Sequence, residues 1–250
     1  MIAHIELSGK TRQINLNEAI DISIPLSNDY PQVNCFDAPL FNALPLRSGE
    51  FVGSTLHGSP VNFYNVMINP HGNGTHTECV GHISSDPFYI NECYKPAFHI
   101  AQLISVFPQL NDDGDKIIPL SHLEQLWDHR GEEALIIRTL PNQADKLHKN
   151  YSGTNPPYLT EEAMRYIVSR DIKHLLLDLP SVDREVDGGK VNAHKIFWNF
   201  PGVKVRSEAT ITELIFVPDT VIDGIYLLSL QLLNIRLDVS PSRPVLYKLL

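Results

Sequence analysis

Six apolar runs rich in isoleucine, leucine and valine constrain the fold of this chain more than any other feature. Short runs of this kind, bounded by polar or turn-forming residues, are typical of strands buried on both faces. They predict strands over 20–26, 98–107, 134–140, 174–179, 213–217 and 224–233. The chain has 250 residues, a length that fits one α/β domain, and we expect residues 1–250 to form a single domain.

Two helices have recognisable starts between these strands. Ser121-His-Leu-Glu124 has the pattern of a capping box, and Thr160 can cap a second helix because acidic residues follow it in the first turn. Strand 134–140, this second helix and strand 174–179 make a β-α-β unit, so the two strands should be parallel. The sequence therefore predicts an α/β fold with a mixed β-sheet core and flanking helices.

Composition narrows the classes of partner. The net charge is −9 and no basic cluster occurs, which argues against nucleic acid or an anionic membrane surface as the main partner. No signal peptide and no membrane span are expected, because the sequence shows neither a basic segment followed by an apolar run nor about 18 uninterrupted apolar residues. The three cysteines, Cys35, Cys79 and Cys93, lack Cys-x-x-Cys spacing and indicate reduced thiols in a cytoplasmic protein.

The segment His71-Gly-Asn-Gly-Thr-His-Thr-Glu-Cys-Val-Gly-His82 concentrates groups suited to metal chemistry. It holds three of the 11 histidines, with Glu78 between the second and the third. Imidazole and carboxylate together are ligands for a zinc-like or manganese-like divalent ion. If residues 76–82 are extended, His76, Glu78 and His82 point to one face, because side chains alternate along a strand. His76 and Glu78 could then bind one ion, and His82 is either a further ligand or a proton carrier beside it.

The residues alone leave other interpretations open. Single histidines in loops are most often solvated or hydrogen-bonded, and glycine-rich segments also form polar turns. Cys79 is more simply explained as a small buried thiol than as a nucleophile. The acidic turn Asp183, Glu185 and Asp187 is predicted to be a solvated loop. Four aromatic residues could line a ligand pocket but are more simply explained by core packing: Phe63, Tyr64, Phe88 and Trp198.

Gly74-Thr75-His76-Thr77-Glu78, followed by His82, resembles the signature of the cyclase-type metal-dependent hydrolases. This family includes bacterial kynurenine formamidase (arylformamidase) and isatin hydrolase. Its signature is His-x-Gly-Thr-His-x-Asp, with a further His four residues after the Asp. Two positions of this chain differ from it. Gly72 stands where the family has its first His, so that His71 lies one residue early, and Glu78 replaces the Asp.

The resemblance extends, in order, over nearly the whole chain. The segments 21–26, 135–139, 177–183, 223–230 and 240–243 each resemble a strand of the family, although these matches are individually weak. After the strand that ends in Pro-Ser-x-Asp the family has a metal-binding His, which His194 matches. A Glu ligand then follows a short apolar stretch, and Glu213 matches it. The match around His76 is the specific part.

The resemblance implies a swivelling β/β/α domain and a metal-dependent amidohydrolase. One or two zinc or manganese ions per chain would be held by a set of five residues, His76, Glu78, His194 and Glu213 with His71 as an extra ligand. His82 would relay the proton from water to the leaving nitrogen. Relatives are commonly homodimers or homotetramers.

The resemblance also implies a class of substrate. This class is a small cyclic or N-acyl amide of the aryl-formamide kind, of which N-formylkynurenine, from tryptophan catabolism, is one example. The alternative function is that of a degenerate family member, which binds a small ligand without turning it over. Its main support is Gly72, which replaces a ligand histidine.

Overall fold

The computed structural model describes residues 1–7, 9–95 and 97–250. The strands are, in chain order, β1 Ile2–Leu7, β2 Lys10–Asn15, β3 Ile20–Asp21, β4 Asn42–Pro45, β5 Arg47–Ser48, β6 Phe51–Val52, β7 Tyr64–Met67, β8 His76–Glu78, β9 Phe98–Val106, β10 Gln109–Leu110, β11 Lys116–Ile118, β12 Ala134–Thr139, β13 Tyr158–Leu159, β14 His174–Leu177, β15 Thr210–Glu213, β16 Gly224–Leu232 and β17 Val239–Lys248. The α-helices are α1 Pro70–Asn73, α2 Ile90–Cys93, α3 Leu120–Leu126, α4 Glu161–Ser169 and α5 Asn192–Trp198. Short 3₁₀ helices cover Thr55–His57, Val80–His82 and Ala144–Leu147.

Within the described residues, seven strands close into a barrel in the order β16-β9-β12-β14-β15-β8-β17, and β17 returns to pair with β16. The run β9, β12, β14 and β15 is parallel, whereas β8, β16 and β17 are antiparallel to their neighbours. The short strand β3 extends the sheet beside β17. Closure removes the exposed edges that an open sheet of this kind would present.

Two hydrophobic cores follow from the alternation of side chains along the barrel strands. In β12, Leu135 and Ile137 pack outward with residues of α3, α4 and α5, whereas Ala134 and Ile136 join a second cluster with residues of β9 and β16. All six residues of β12 are buried, which explains the unbroken apolar run over its first four residues, 134–137.

The predicted β-α-β unit is confirmed. β12 and β14 are parallel, with Ala134 opposite His174. The Thr160 hydroxyl caps α4 by accepting a hydrogen bond from the Ala163 amide at 3.2 Å. The capping box at Ser121 is wrong, because α3 begins one residue earlier, at Leu120.

Two predicted strands differ from those observed. The strand predicted over 213–217 lies over Thr210–Glu213, and it ends there because Leu214 has a left-handed backbone with φ of 54°. Of the strand predicted over 20–26, only Ile20–Asp21 joins the ladder, and Ser23 forms an isolated bridge with Ile215. Outside these strand and bridge positions both runs are irregular, although Ile22, Ile24 and Leu214 are buried, and sequence periodicity does not distinguish such segments from strands.

Candidate metal centre

Two neighbouring barrel strands present the first three residues of the centre. β8 and β15 are antiparallel, with Glu213 opposite His76. Thr77 points to the other face of the sheet, where its Oγ1 lies 2.8 Å from Oγ1 of Thr212. His76 and Glu78 therefore share one face, as predicted, and both are fully buried. His76 Nε2 lies 3.3 Å from Glu213 Oε2.

Helix α5 places a second histidine against this face. His194 is buried, and its Nε2 lies 3.1 Å from Glu78 Oε1 and 4.0 Å from Glu213 Oε1. Its Nδ1 lies 2.6 Å from Oδ2 of Asp183. The Asp183 carboxylate also accepts hydrogen bonds from the backbone amides of Ala193 and His194, at 2.8 and 3.2 Å, and so holds the first turn of α5.

The prediction of a solvated acidic loop is therefore wrong for Asp183. The role of this residue was not predicted, although it ends the Pro-Ser-x-Asp segment that resembles the family. The other two acidic residues of the turn cap backbone amides: Glu185 accepts from Gly153 and Asn155, and Asp187 from the amides of residues 189–191.

His82 reaches the centre by a different route from the predicted one. The chain is extended only over His76–Glu78 and then turns through the 3₁₀ helix Val80–His82, so extension to residue 82 is wrong. The tight turn requires Gly81, because a Cβ there would lie 2.3 Å from the Phe88 carbonyl oxygen. The turn brings His82 Nδ1 back to 3.7 Å from Glu78 Oε2, with the side chain 33% exposed.

His71 completes the ring of side chains around Glu78. It lies in α1, which Asn69 caps by accepting from the Gly72 amide. Its Nδ1 is 3.2 Å from Glu78 Oε2, and its Nε2 is 3.0 Å from Oδ2 of Asp238. Asp238 also lies 3.6 Å from His82 Nδ1. Asp238 is far from the motif in sequence, and no pattern in the chain indicated it.

The geometry of these residues fits a divalent ion. His76 Nε2 and Glu78 Oε2 are buried and have no hydrogen-bond partner among the described residues, although Glu213 and His71 lie within 3.3 Å. Ligand atoms about 2.1 Å from one ion lie about 3.0–3.4 Å apart in octahedral or tetrahedral geometry. Two nitrogen–oxygen pairs have this spacing: His76 Nε2 with Glu213 Oε2, at 3.3 Å, and His71 Nδ1 with Glu78 Oε2, at 3.2 Å. Ligand atoms of His71, His76 and Glu78 all lie within 4.8 Å of one another.

The electrostatics of the cluster also favour a cation. Burial lowers the pKa of His71 and of His194, but neighbouring carboxylates outweigh burial and raise each pKa to about 10. Burial raises the pKa of Glu78, whereas His82, His194 and His71 lower it well below its usual range. The ionised carboxylates therefore require positive charge beside them, which protons or a metal ion can supply.

Of the remaining candidates, Cys79 and Trp198 belong to the packing around the centre. Cys79 is buried, and the hydrogen bond that its thiol donates to Cys93, together with burial, raises the pKa of that thiol, which agrees with an inert buried cysteine. Trp198 is fully buried and packs against the His194 ring, with centroids 5.6 Å apart. The prediction of core packing is wrong for Phe63 and Tyr64, whose side chains are 58% and 44% exposed.

The fold and the cluster together define a closed-barrel α/β protein with a site suited to a divalent cation. A family model described as "Putative cyclase" matches residues 20–184. The chain therefore belongs to the cyclase family, which confirms the family resemblance. No curated protein matches the sequence. No helix in the described part of the chain has both the length and the apolar character that a membrane span needs.

Solved structures share this architecture. One, described as a "predicted metal-dependent hydrolase from Bacillus stearothermophilus", is 16% identical and aligns over 92% of this chain and 98% of its own, with a TM-score of 0.63. Isatin hydrolase A from Labrenzia aggregata is 17% identical over 92% and 93% of the two chains, with a TM-score of 0.63. The enzyme of the same name from Ralstonia solanacearum is 14% identical over 92% and 91%, also at 0.63. The predicted mixed α/β fold with flanking helices is confirmed by these likenesses.

Proposed function

We propose that this protein is a metal-dependent hydrolase of small cyclic or N-acyl amides, with aryl formamides such as N-formylkynurenine in its substrate class. The observation that carries the proposal is a pair of buried atoms without hydrogen bonds, His76 Nε2 and Glu78 Oε2. They face Glu213 and His71 at the spacing of atoms that bind one metal ion. Structures described as isatin hydrolases share the fold, and isatin is itself a cyclic aryl amide.

The residues divide into ligands and a proton carrier. His76, Glu78, His194 and Glu213 would hold the ion, with His71 as a further ligand. When bound, a zinc or manganese ion supplies Lewis acidity, which lowers the pKa of water toward about 7 and polarises a carbonyl. His82 is the most exposed histidine of the cluster, 33% exposed, and stands at its solvent side. It is suited to pass a proton from water to the leaving nitrogen, because histidine exchanges protons readily near neutral pH.

Metal analysis and hydrolysis assays test this function together. The purified protein should contain about one or two equivalents of zinc or manganese per chain, and it should hydrolyse an aryl formamide or isatin. A chelator should abolish turnover, and the metal should restore it. A protein that stays metal-free after incubation with zinc and manganese would contradict the proposal and favour the alternative, a ligand-binding family member without turnover.

We further propose a small-molecule substrate, a cytoplasmic location and a homodimer or homotetramer. The thiols of Cys35, Cys79 and Cys93 are free, which suits a reducing compartment. The net charge of −9 disfavours nucleic acid and anionic membranes as partners.

A further inference from the structure

The backbone explains why residue 72 cannot supply the histidine that the family has there. A Cβ at residue 72 would lie 2.2 Å from the Ala38 Cβ and 3.2 Å from the Cys35 carbonyl oxygen. The Cys35 amide also donates to the Gly72 carbonyl at 3.1 Å, which holds the two segments together. Any side chain at residue 72 would therefore require segment 35–38 to move, and a replacement ligand must come from another residue.

The end of the β8–β17 ladder fixes Asp238 beside the centre. Val239, the first residue of β17, pairs with Glu78, and the Asp238 carbonyl accepts from the Cys79 amide at 2.9 Å. Gly81 leaves room for this approach, since a Cβ there would lie 3.0 Å from the Asp238 Cβ. The main chain thus holds Asp238 in place, and its side chain reaches the Nε2 of His71.

Three histidines of the cluster share one arrangement. In each, one ring nitrogen forms a hydrogen bond with an oxygen atom outside the set of proposed ligands. The other ring nitrogen faces the carboxylate of Glu78 or Glu213. The oxygen belongs to Gly74 for His76, at 2.8 Å, and to Asp183 for His194, at 2.6 Å. Asp238 has the same relation to His71, at 3.0 Å. Histidines that ligate metals almost always donate their second ring N–H to such an acceptor.

We propose that Asp238 is a positioning residue that fixes His71 as a metal ligand through Nδ1, in place of the histidine that residue 72 lacks. This inference rests on the proposed function, because it concerns the same metal centre. By accepting the Nε2 proton, Asp238 selects the tautomer with its lone pair on Nδ1, which lies 3.2 Å from Glu78 Oε2. An asparagine at residue 238 could donate to Nε2 instead, which would place the proton on Nδ1 and block ligation.

Zinc affinity tests the inference in wild type, Asp238→Asn, His71→Ala and the double variant, by competition with a chromogenic chelator. Asp238→Asn should bind zinc about 10–100-fold more weakly. The double variant should bind no more weakly than His71→Ala alone, because Asp238 acts through His71. The visible spectrum of bound Co²⁺ should change in both single variants, which loss of packing alone would not cause.

Asp21→Asn is the matched control. Its side chain is 38% exposed, against 32% for Asp238, and it contacts β17 through an ion pair with Arg243 of 2.7 Å. It should leave zinc affinity and the Co²⁺ spectrum unchanged. Thermal melting of the metal-free proteins establishes that each variant is folded.

Several results would overturn the inference without touching the proposed function. These are wild-type affinity in Asp238→Asn, fully additive losses in the double variant, and metal loss in Asp238→Asn with retention in His71→Ala. The last result would make Asp238 itself the ligand. A wild-type protein that binds no zinc would overturn the inference and the proposed function together, so the two failures are distinguishable.

Discussion

Glu78 is the residue on which the candidate centre depends most. Its Oε1 faces His194, and its Oε2 faces both His71 and His82. These three histidines come from α5, α1 and a 3₁₀ turn, so one carboxylate connects three separate elements. The family has the shorter Asp at this position, and the extra methylene of Glu78 is compatible with this contact set.

At the same scale, we expect His82→Ala to keep its metal and lose turnover, whereas His76→Ala loses both. His82 is partly exposed and lies 3.6 Å or more from its acidic neighbours, while His76 is buried with one ring nitrogen already held by Gly74. Losing a general acid–base typically costs about 10²–10⁴-fold in rate. Metal analysis beside steady-state kinetics on an aryl formamide measures both effects.

The exposed His57 provides the control for these substitutions. It lies in the exposed 3₁₀ helix Thr55–His57 and is not one of the cluster residues, so His57→Ala should change neither metal content nor rate. A metal-free His82→Ala protein would show that a ligand had been assigned as a proton carrier.

At the scale of elements, sequence patterns predicted those features that depend on interactions between residues close together in the chain. The β-α-β unit and the Thr160 cap follow from periodicity and capping chemistry, which act over a few residues. The end of β15 at Leu214 involves hydrogen bonds with Leu179 and Thr75, and the 3₁₀ turn at Gly81 makes room for Asp238, so both features involve distant chain segments. Sequence spacing could not indicate them.

The site shows the same division between local and distant information. Glu78 and the three histidines of segment 71–82 could be proposed from one motif. His194 and Glu213 could be proposed from the family resemblance. Asp238 could not, because it reaches His71 only through the register of β17 on β8. Asp183 has its role only because α5 begins above its carboxylate.

We expect the stability of the fold to depend on pH because of His174, the first residue of β14. His174 donates to or accepts from Thr210 Oγ1 at 2.9 Å, and its ring lies 4.0 Å from that of His99. Burial, with the nearby cations, lowers the pKa of His174 from 6.5 to about 3. Below about pH 6.5 the His174 imidazole is therefore protonated in the unfolded chain but stays neutral in the folded chain. The free energy of unfolding falls as the pH drops below about 6.5.

We expect His174→Gln to show a flatter pH dependence than the wild type, because glutamine keeps a hydrogen-bonding group and does not titrate. The difference should reach about 2 kcal/mol between pH 7 and pH 5, at about 1.4 kcal/mol per pH unit below 6.5. Urea unfolding at a series of pH values measures it. Parallel curves for the two proteins would mean that His174 is protonated in the fold without penalty.

At the scale of the whole molecule, residues 36–67 form an apolar arm beside the centre. Ten large hydrophobic side chains of this arm are exposed: Phe36, Leu40, Leu44, Phe51, Leu56, Val61, Phe63, Tyr64, Val66 and Met67. All four residues of β7 are exposed, and β7 pairs only with β4 in the described chain. An isolated two-stranded ribbon is marginally stable in water, so this arm requires a covering surface.

We expect a second copy of the chain to cover the arm, which would place the interface next to His71, four residues after β7. A standard interface buries about 800 Å² on each partner, and ten half-exposed large side chains are of that order. Light scattering after size exclusion should therefore give at least twice the 28.1 kDa chain mass. Leu44→Lys with Val66→Lys should reduce the mass to that of one chain, because lysine at both positions opposes burial.

Leu110, 67% exposed on β10, provides the control, since Leu110→Lys should leave the assembly intact. A wild-type protein that stays at the mass of one chain at micromolar concentration would contradict coverage of the arm by a second copy.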